Sequence, residues 1–286
     1  MLFADNKLPT ANCELRTANC ELPTANCELP TANYMISASR IKFVRSLHQK
    51  KFRDLHRCFI AEGSKLVLEF AESTFRIQQI FCNEEWSQNH SISERIPVEI
   101  IKPSEMSRIT VLSSASPVLA VVEMPENSDD LKSRAWDGDF TLVLDGIKDP
   151  GNMGTIIRIA DWFGIGQVIC SMDCVDQFNP KVVQSTMGSM IRVGVHSVDL
   201  PEFLSALKGQ VPVYGMVLDG ENFSSDAANA KGLIVIGSEA HGISEEVVPF
   251  ITHKRTIPCY PAGRGNHAES LNAAVATGII CAEFRK

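Results

Sequence analysis

The chain has 286 residues, of which 44% are hydrophobic and 21% are charged, and its formal net charge is -7. This balance is ordinary for a folded protein and excludes disorder over the whole chain, because the apolar content is too high. No segment approaches the roughly 18 consecutive apolar residues of a membrane-spanning helix. The acidic balance argues against a wholly basic nucleic-acid coat, although a local basic patch remains compatible with it.

A seven-residue repeat stands near the start of the chain, where residues 10–33 read TANCELR, TANCELP, TANCELP and TAN. Each heptad carries one leucine, and Pro23 and Pro30 would break a helix, so the repeat does not predict a coiled coil. Selection on function rarely keeps such units identical. We therefore interpret residues 1–34 as a low-complexity leader translated from a non-coding repeat, with Met35 as the natural start.

Basic side chains dominate residues 35–60, where seven lysines and arginines stand against one acid, Asp54. Ile41, Val44 and Leu47 have helical spacing, so the charges can share the opposite, solvent-facing side. The pattern fits either a solvated helix face or a surface that binds nucleic-acid phosphates. We predict phosphate contacts for a set termed the basic stripe: Arg40, Lys42, Arg45, Lys50, Lys51 and Arg53.

Strand and helix patterns then alternate, which predicts a small α/β domain over residues 35–122. A short strand precedes a turn at Gly63 and an amphipathic helix. RIQQIFC and VEIIK follow as strands, Pro103 opens a short helix, and PVLAVVEMP is the closing strand. The polar residues 123–139 lack a periodic apolar pattern and are predicted to be a linker.

Six strands are predicted in residues 140–286, and the apolar runs of the first and the fifth are typical of a buried parallel sheet. They are FTLVLDGI, GQVICS, VGVHSV, VPVYGMVL, GLIVIGSE and RTIPC. Helices are predicted to start at Asn152 and near Pro180, and ISEEVVPF is predicted as a short helix. A last helix is predicted to start at Glu269 or Ser270. The predicted fold class is therefore α/β with a mostly parallel sheet.

The cysteines outside the repeat are scattered and mostly flanked by apolar residues, as in reduced cytosolic proteins. Cys170 and Cys174 are four residues apart, but no second pair of cysteines or histidines completes a zinc site. The opening also lacks a basic and apolar signal segment. The sequence thus predicts a cytoplasmic protein without a metal.

Three segments place glycines and polar side chains beside predicted strand ends, where open α/β sheets bind ligands. In residues 145–165 a helix carries Arg158, which can face a groove or be an ordinary surface arginine. The loop before it lacks the G-x-G-x-x-G pattern, which disfavours a Rossmann-type dinucleotide site and the common Rossmann-type methyltransferase.

The other two segments follow later strands. In residues 234–246 a buried strand leads into Gly237, where the backbone can approach a flat ligand, and Glu239, which can accept hydrogen bonds or sit at a helix start. In residues 257–278 a loop rich in glycine and proline precedes Ser270 and Asn272, which can cap a helix or serve a site.

In this order and at these separations, GNMGTIIRIADWFGI, IGSEAHGIS and IPCYPAGRGNHAESLNAAVA resemble the three motifs of the SpoU (TrmH) class of RNA ribose 2′-O-methyltransferases, in the SPOUT superfamily. The resemblance covers residues 140–286, and residues 35–120 look more loosely like the small RNA-binding domain of many members. It implies a C-terminal trefoil knot, a pocket for S-adenosylmethionine in the knotted loops, and a homodimer whose active site includes both subunits.

The resemblance also implies roles for the residues that match its motifs. The implied catalytic residues are Asn152, Arg158, Glu239, Ser270 and Asn272, and the implied cofactor contacts are Gly237, Ile257 and Leu271. The stretch between Pro258 and Ser270 is longer than in the shortest members, which leaves the roles of Arg264, Asn266 and His267 open.

Methylation of a weakly acidic ribose 2′-OH needs help with deprotonation and in-line geometry. The resemblance makes Arg158 the base, although a guanidinium is a poor base. Two versions stay open: Arg158 is deprotonated in a dry site, or it clamps substrate phosphate and the phosphate takes the proton. Ribosomal RNA is the first expected substrate and transfer RNA the second. The motif residues disfavour a non-catalytic RNA-binding protein and a base methyltransferase.

Overall fold

The N-terminal half of the protein builds a small mixed sheet flanked by helices. Its elements are α1 (Ala38–Ser46), α2 (Lys50–His56), β1 (Cys58–Glu62), α3 (Ser64–Ala71), β2 (Ile77–Cys82), α4 (Glu84–Asn89), β3 (Val98–Ile100), α5 (Pro103–Ile109) and β4 (Val118–Glu123). The strand order is β1-β4-β2-β3, in which β4 is antiparallel to β1 and β2, and β3 is parallel to β2. The turn predicted at Gly63 is present, and its φ of 107° favours glycine.

The structure is a computed structural model that describes residues 35–126, 131, 140–222, 231–260 and 268–285. The repeat leader predicted at 1–34 and most of the predicted linker lie outside the described residues, as do Arg264, Asn266 and His267. The described residues belong to one compact unit. The boundaries predicted between domains stay a prediction.

The C-terminal half forms a second, parallel sheet. Its elements are β5 (Phe140–Asp145), α6 (Pro150–Trp162), β6 (Gln167–Ser171), α7 (Pro180–Thr186), β7 (Gly194–Val198), α8 (Leu200–Ala206), β8 (Val213–Asn222), β9 (Gly232–Gly237), β10 (His253–Thr256) and α9 (Ala273–Phe284). The strand order is β10-β8-β9-β5-β6-β7, and the neighbouring strands run parallel. The predicted α/β class with a mostly parallel sheet is confirmed. The knot stays a prediction, because residues 223–230 and 261–267 lie outside the described part.

Strand burial explains the continuous apolar runs in the sequence. Every residue of β5 is buried, and β9 is buried up to Ile236, because both strands are central in the sheet and have neighbours on each side. Helices α6 and α9 pack against each other over this sheet. The chain therefore brings motifs one and three together on one layer.

Three helix starts or lengths differ from the sequence prediction. α6 begins at Pro150 instead of Asn152, because Asp149 caps it and accepts a hydrogen bond from the backbone N of Asn152. α9 begins at Ala273, after its cap Asn272, and not at Glu269 or Ser270. ISEEVVPF forms only a 3₁₀ turn at Val248–Phe250, since Pro249 lacks the N–H that a longer helix would need. None of the described helices is long and apolar enough to cross a membrane.

The two halves pack through a shared apolar core and one buried ion pair. The rings of Phe59 in β1 and Phe178 before α7 lie 4.9 Å apart. Arg53 of α2 donates to Oδ2 of Asp176 from Nε at 3.0 Å and from Nη2 at 2.5 Å. Its third donor, Nη1, bonds the carbonyl of Leu47 at 2.9 Å. These contacts fix α2 against the loop that follows β6.

The structure contradicts the prediction for one residue of the basic stripe, Arg53. Only 2% of its surface is exposed, so it cannot share the solvent-facing side predicted for it. The reason is the partner across the fold: a buried charge is tolerated when another charge and further hydrogen bonds satisfy it, and Asp176 is 123 positions away. The other stripe residues are exposed, and Arg40 pairs with Glu99.

Candidate active site

The loops that follow β5 and β9 lie side by side at one edge of the sheet. These strands are parallel neighbours, and Asp145 at the end of β5 pairs with Gly237 at the end of β9. Asp145 is buried, and its Oδ2 accepts a hydrogen bond from the backbone N of Ser244 at 2.7 Å. It thus ties the motif-two loop to β5. Asp145 is not among the site residues predicted from the sequence, although a carboxylate that ends an apolar strand is a visible signal.

The motif-two loop closes tightly on itself. Ser238 and Gly242 exchange two backbone hydrogen bonds, of 3.0 and 2.9 Å. A Cβ on Gly237 would overlap the carbonyl of Gly242 and the backbone N of Ile243. Glycine is therefore needed at 237 for the loop to approach the strand end this closely.

One polar cluster joins all three motifs. Nδ2 of Asn272 donates to Oδ1 of Asn152 at 2.9 Å, and Nδ2 of Asn152 donates to Oε1 of Glu239. Oδ1 of Asn272 accepts from the backbone N of Ala274 at 3.0 Å and of Val275 at 3.2 Å. Both amides use a donor and the acceptor, which fixes their orientation. Three of the predicted catalytic residues are therefore in direct contact.

A cavity of about 560 Å³ borders this cluster. Its lining includes Gly237, Ile257 and Leu271, the three predicted cofactor contacts, together with Glu239 and Ser270. Small-molecule sites commonly enclose about 300–1,000 Å³, so the volume suits a cofactor. The structure thus brings together seven of the eight predicted catalytic and cofactor residues, and one residue is left out.

That residue is Arg158, which lies away from the cluster within the chain. It follows Asn152 by six residues, a rotation of about 240° around α6, and it is exposed. It is absent from the described lining of the cavity and of the groove that contains Asn152. Among the described residues, no hydrogen bond or ion pair reaches its guanidinium. Arg158 is therefore exposed and outside both of these linings, and the expectation that it faces a groove stays a prediction.

The groove that contains Asn152 is shallow and apolar, and it runs between α6 and α9. Besides Asn152 and Asn272, it is lined by Thr155, Ile159, Ala274, Val275, Gly278, Ile279 and Ala282. Val275 is 54% exposed and Ile279 is 38% exposed. These two side chains expose apolar surface on α9 beside the polar cluster.

A pair of thiols lies at the end of β6. A hydrogen bond from Cys170 lowers the pKa of Cys174 to about 7, while the pKa of the buried Cys170 is raised well above its ordinary value. Next to them, Lys148 holds the pKa of Asp173 below its ordinary value, with Nζ 2.6 Å from Oδ2. The part of the chain that the structure describes contains no group of three or more side chains that could hold a metal ion.

Comparisons with known proteins agree with this geometry. A model described as the SpoU rRNA Methylase family matches residues 139–282. The chain belongs to the SpoU rRNA methylase family. A second model, described as the MRM3-like substrate binding domain, matches residues 38–120.

Individual relatives of this SpoU family member cover nearly its whole described length. A solved TrmH-family structure from Porphyromonas gingivalis is 37% identical with a TM-score of 0.78, covering 88% of this chain and 98% of that chain. An AdoMet-bound rRNA methyltransferase from Sinorhizobium meliloti is 28% identical with a TM-score of 0.76, over 88% and 96% of the two chains. The 23S rRNA (guanosine(2553)-2′-O)-methyltransferase RlmP of Bacillus subtilis is 28% identical, over 86% and 96%. The expected family, methyltransferase class and S-adenosylmethionine cofactor are confirmed.

Proposed function

We propose that this SpoU-family enzyme transfers a methyl group from S-adenosylmethionine to a ribose 2′-OH of ribosomal RNA in the cytoplasm. The observation that carries the proposal is the contact of Asn152, Glu239 and Asn272, one from each motif, beside a cavity of cofactor size. The name of RlmP supports 2′-O-methylation of ribosomal RNA, and that of the Sinorhizobium meliloti enzyme supports ribosomal RNA as the substrate and AdoMet as the cofactor.

The residues around the cavity suit S-adenosylmethionine. Apolar side chains such as Met216, Ile236 and Ile280 can pack on its adenine, and the carboxylates of Glu239 and Glu269 favour its positive charges. The bound cofactor supplies an electrophilic methyl group on a sulfonium, and its neutral thioether leaving group needs no metal. We assign Gly237, Ile257 and Leu271 to its binding.

The polar cluster positions the ribose in this proposal. The side chain of Asn152 is held by Glu239 and Asn272, so its orientation is set before substrate arrives, which is the condition for in-line attack. Ser270 lines the cavity close to Leu271 and offers a hydroxyl to the same substrate. Arg158 clamps substrate phosphate near the 2′-OH, and the phosphate takes the proton, because a guanidinium retains its own proton in water.

A homodimer completes this site. Arg158 is exposed and lines neither the cavity nor the groove, and the apolar groove between α6 and α9 lies next to the cluster, where a two-fold contact between subunits would bury it. We therefore place Arg158 of one subunit opposite Asn152, Glu239 and Asn272 of the other. The exposed residues of the basic stripe, Lys50 and Lys51 among them, bind RNA farther from the reacting ribose.

Mass mapping of RNA from a strain that lacks the gene tests the proposed function. We expect one ribose methyl to disappear from ribosomal RNA and to return with the wild-type gene, but not with a gene that carries both Asn152→Ala and Arg158→Ala. Loss of a ribose methyl from transfer RNA would select the alternative substrate. Loss of a base methyl, or of none, would contradict ribose methylation by this enzyme.

A further inference from the structure

Arg255 of β10 has no role in the site described above, yet it lines the same cavity. It is the one lysine or arginine among the described lining residues, which otherwise carry the acidic Glu239 and Glu269. Its side chain is 13% exposed. A guanidinium in this position is costly to bury unless it serves a partner.

The hydrogen bonds of Arg255 leave one edge of its guanidinium unused. Nη1 donates to Oε2 of Glu221 at 2.5 Å. Nε is buried and finds no acceptor among the described residues. Buried donors are nearly always satisfied, so a donor without a partner beside a cavity indicates a ligand that supplies the acceptor.

The same edge, Nε with Nη2, binds carboxylates elsewhere in this protein. Arg53 donates from Nε at 3.0 Å and from Nη2 at 2.5 Å to Asp176. Arg192 donates to Oδ2 of Asp161 from Nε at 3.0 Å and from Nη2 at 2.7 Å. This two-donor geometry matches a carboxylate group. The free edge of Arg255 is therefore suited to a carboxylate on the ligand.

An irregularity in the sheet brings Arg255 to the cavity. Between Lys254 and Arg255 the partner on β8 changes from Gly215 to Glu221, so the intervening residues of β8 bulge from the ladder. A Cβ on Gly220 would lie 2.6 Å from the carbonyl carbon of Arg255, which shows how closely the bulged backbone packs there. Bulges of this kind redirect side chains near binding sites.

We infer that Arg255 binds the carboxylate of the methionine moiety of S-adenosylmethionine through its Nε–Nη2 edge. The inference rests on the proposed function. It pairs opposite charges, because the cofactor has one carboxylate and the described lining has one guanidinium. Glu221 is 83% exposed, so its ion pair is weak and lets the guanidinium turn toward the ligand. Phosphates of RNA are a poorer match, because Arg255 is enclosed while Lys50 and Lys51 of the basic stripe are exposed.

Calorimetry with two ligands tests this assignment in the purified protein without RNA. S-adenosylmethionine has the carboxylate, and decarboxylated S-adenosylmethionine keeps the adenosine, sulfonium and amine but lacks it. We expect Arg255→Ala to weaken binding of the first about tenfold or more and of the second less than about twofold. Arg255→Lys should fall between, since it has no two-donor edge. Lys254→Ala, at the neighbouring residue outside the cavity lining, is the control and should change neither affinity.

The outcomes separate the alternatives. Unchanged affinity of Arg255→Ala for S-adenosylmethionine overturns the inference, as does an equal loss for both ligands, which would show a purely structural role. If cofactor binding is unchanged and a separate filter-binding assay shows weaker RNA binding by Arg255→Ala, Arg255 is assigned to RNA phosphate and the inference is also overturned. If the wild-type protein binds neither ligand, the proposed function itself fails, independently of Arg255.

Discussion

Nδ2 of Asn272 donates to Oδ1 of Asn152 at 2.9 Å, although the two residues are 120 positions apart. The same Asn272 caps α9 through its Oδ1, so the start of this helix and the start of the motif-one helix are held together. Asn152 in turn donates a hydrogen bond to Glu239, which follows β9. Folding of α9 therefore sets the geometry of the polar cluster that Asn152, Glu239 and Asn272 form.

The two functions of Asn272 can be separated by substitution. Asn272→Ser keeps a capping oxygen but loses the donor to Asn152, so its thermal stability should stay near wild type while methyl transfer falls by up to about 10²-fold. Asn272→Ala should lose the same activity and also about 1 kcal/mol of stability with the cap. Melting curves and single-turnover rates measure both. A fully active Asn272→Ser variant would show that the bond to Asn152 is dispensable.

Arg158 should serve RNA and not the cofactor. We expect Arg158→Ala to lower methyl transfer by at least about 10², the usual scale for a general-base or electrostatic group, while calorimetry shows S-adenosylmethionine binding within a few-fold of wild type. Lys181→Ala, an exposed cation on the neighbouring helix α7, is the matched control and should remain active. Loss of cofactor binding in Arg158→Ala would instead assign this residue to the cofactor pocket.

A site shared between subunits predicts complementation of two inactive variants. Mixing and reassembling Asn152→Ala with Arg158→Ala gives mixed dimers in which one site has both residues intact. If half of the dimers are mixed, about a quarter of wild-type activity should return. Activity that stays at the level of the separate variants would show that Asn152 and Arg158 act within one chain.

The groove between α6 and α9 should carry the dimer contact. Ile279→Arg places a charge in this apolar surface and should convert the dimer to a folded monomer, as followed by sedimentation velocity and circular dichroism. Val98→Arg is the control, because Val98 is similarly exposed at 41% but lies on β3, away from the groove. A wild-type protein that sediments as a monomer, or an Ile279→Arg variant that stays dimeric, would reject this surface.

Neighbouring basic residues of α2 should respond differently to alanine. Lys50→Ala with Lys51→Ala should weaken RNA binding and reduce the slope of log affinity against log salt by about 0.7–0.9 per lost phosphate contact, with stability unchanged. Arg53→Ala should leave the slope unchanged in the folded protein but cost about 3–5 kcal/mol, because Asp176 loses its buried partner. Filter binding at several salt concentrations and urea unfolding distinguish the two effects. An unchanged slope in the double variant would show that Lys50 and Lys51 are solvated surface residues that do not contact RNA phosphates.

Cys174 should react with iodoacetamide in the neutral pH range. Its pKa is lowered to about 7, so the reactive thiolate increases as pH rises through this value and disappears below it. Cys58, whose pKa burial raises to about 11, should stay unmodified over the same range and serves as the internal control. Mass spectrometry of individual peptides measures each rate. A Cys174 rate that changes only above pH 9 would contradict the hydrogen bond from Cys170 as its cause.

Local patterns in the sequence were sufficient for the fold class and the family. The apolar runs of β5 and β9 reflect strands that are buried on both faces. The glycine at position 63 reflects a turn with a positive φ angle. Each of these features depends on adjacent residues, so the sequence is enough to predict it. The motif residues around Asn152, Glu239 and Asn272 were identifiable for the same reason. The starts of α6 and α9 were predicted wrongly by two to four residues, because Asp149 and Asn272 cap their helices outside the periodic apolar pattern.

Tertiary structure alone decided which of these side chains meet. Arg53 belongs to a basic run in the sequence, yet its burial depends on Asp176, which reaches it only when the two halves pack. Arg255 reaches the cavity through a register shift between β8 and β10 that no local pattern encodes. Contacts between distant residues depend on strand order and register, and these are properties of the whole folded chain.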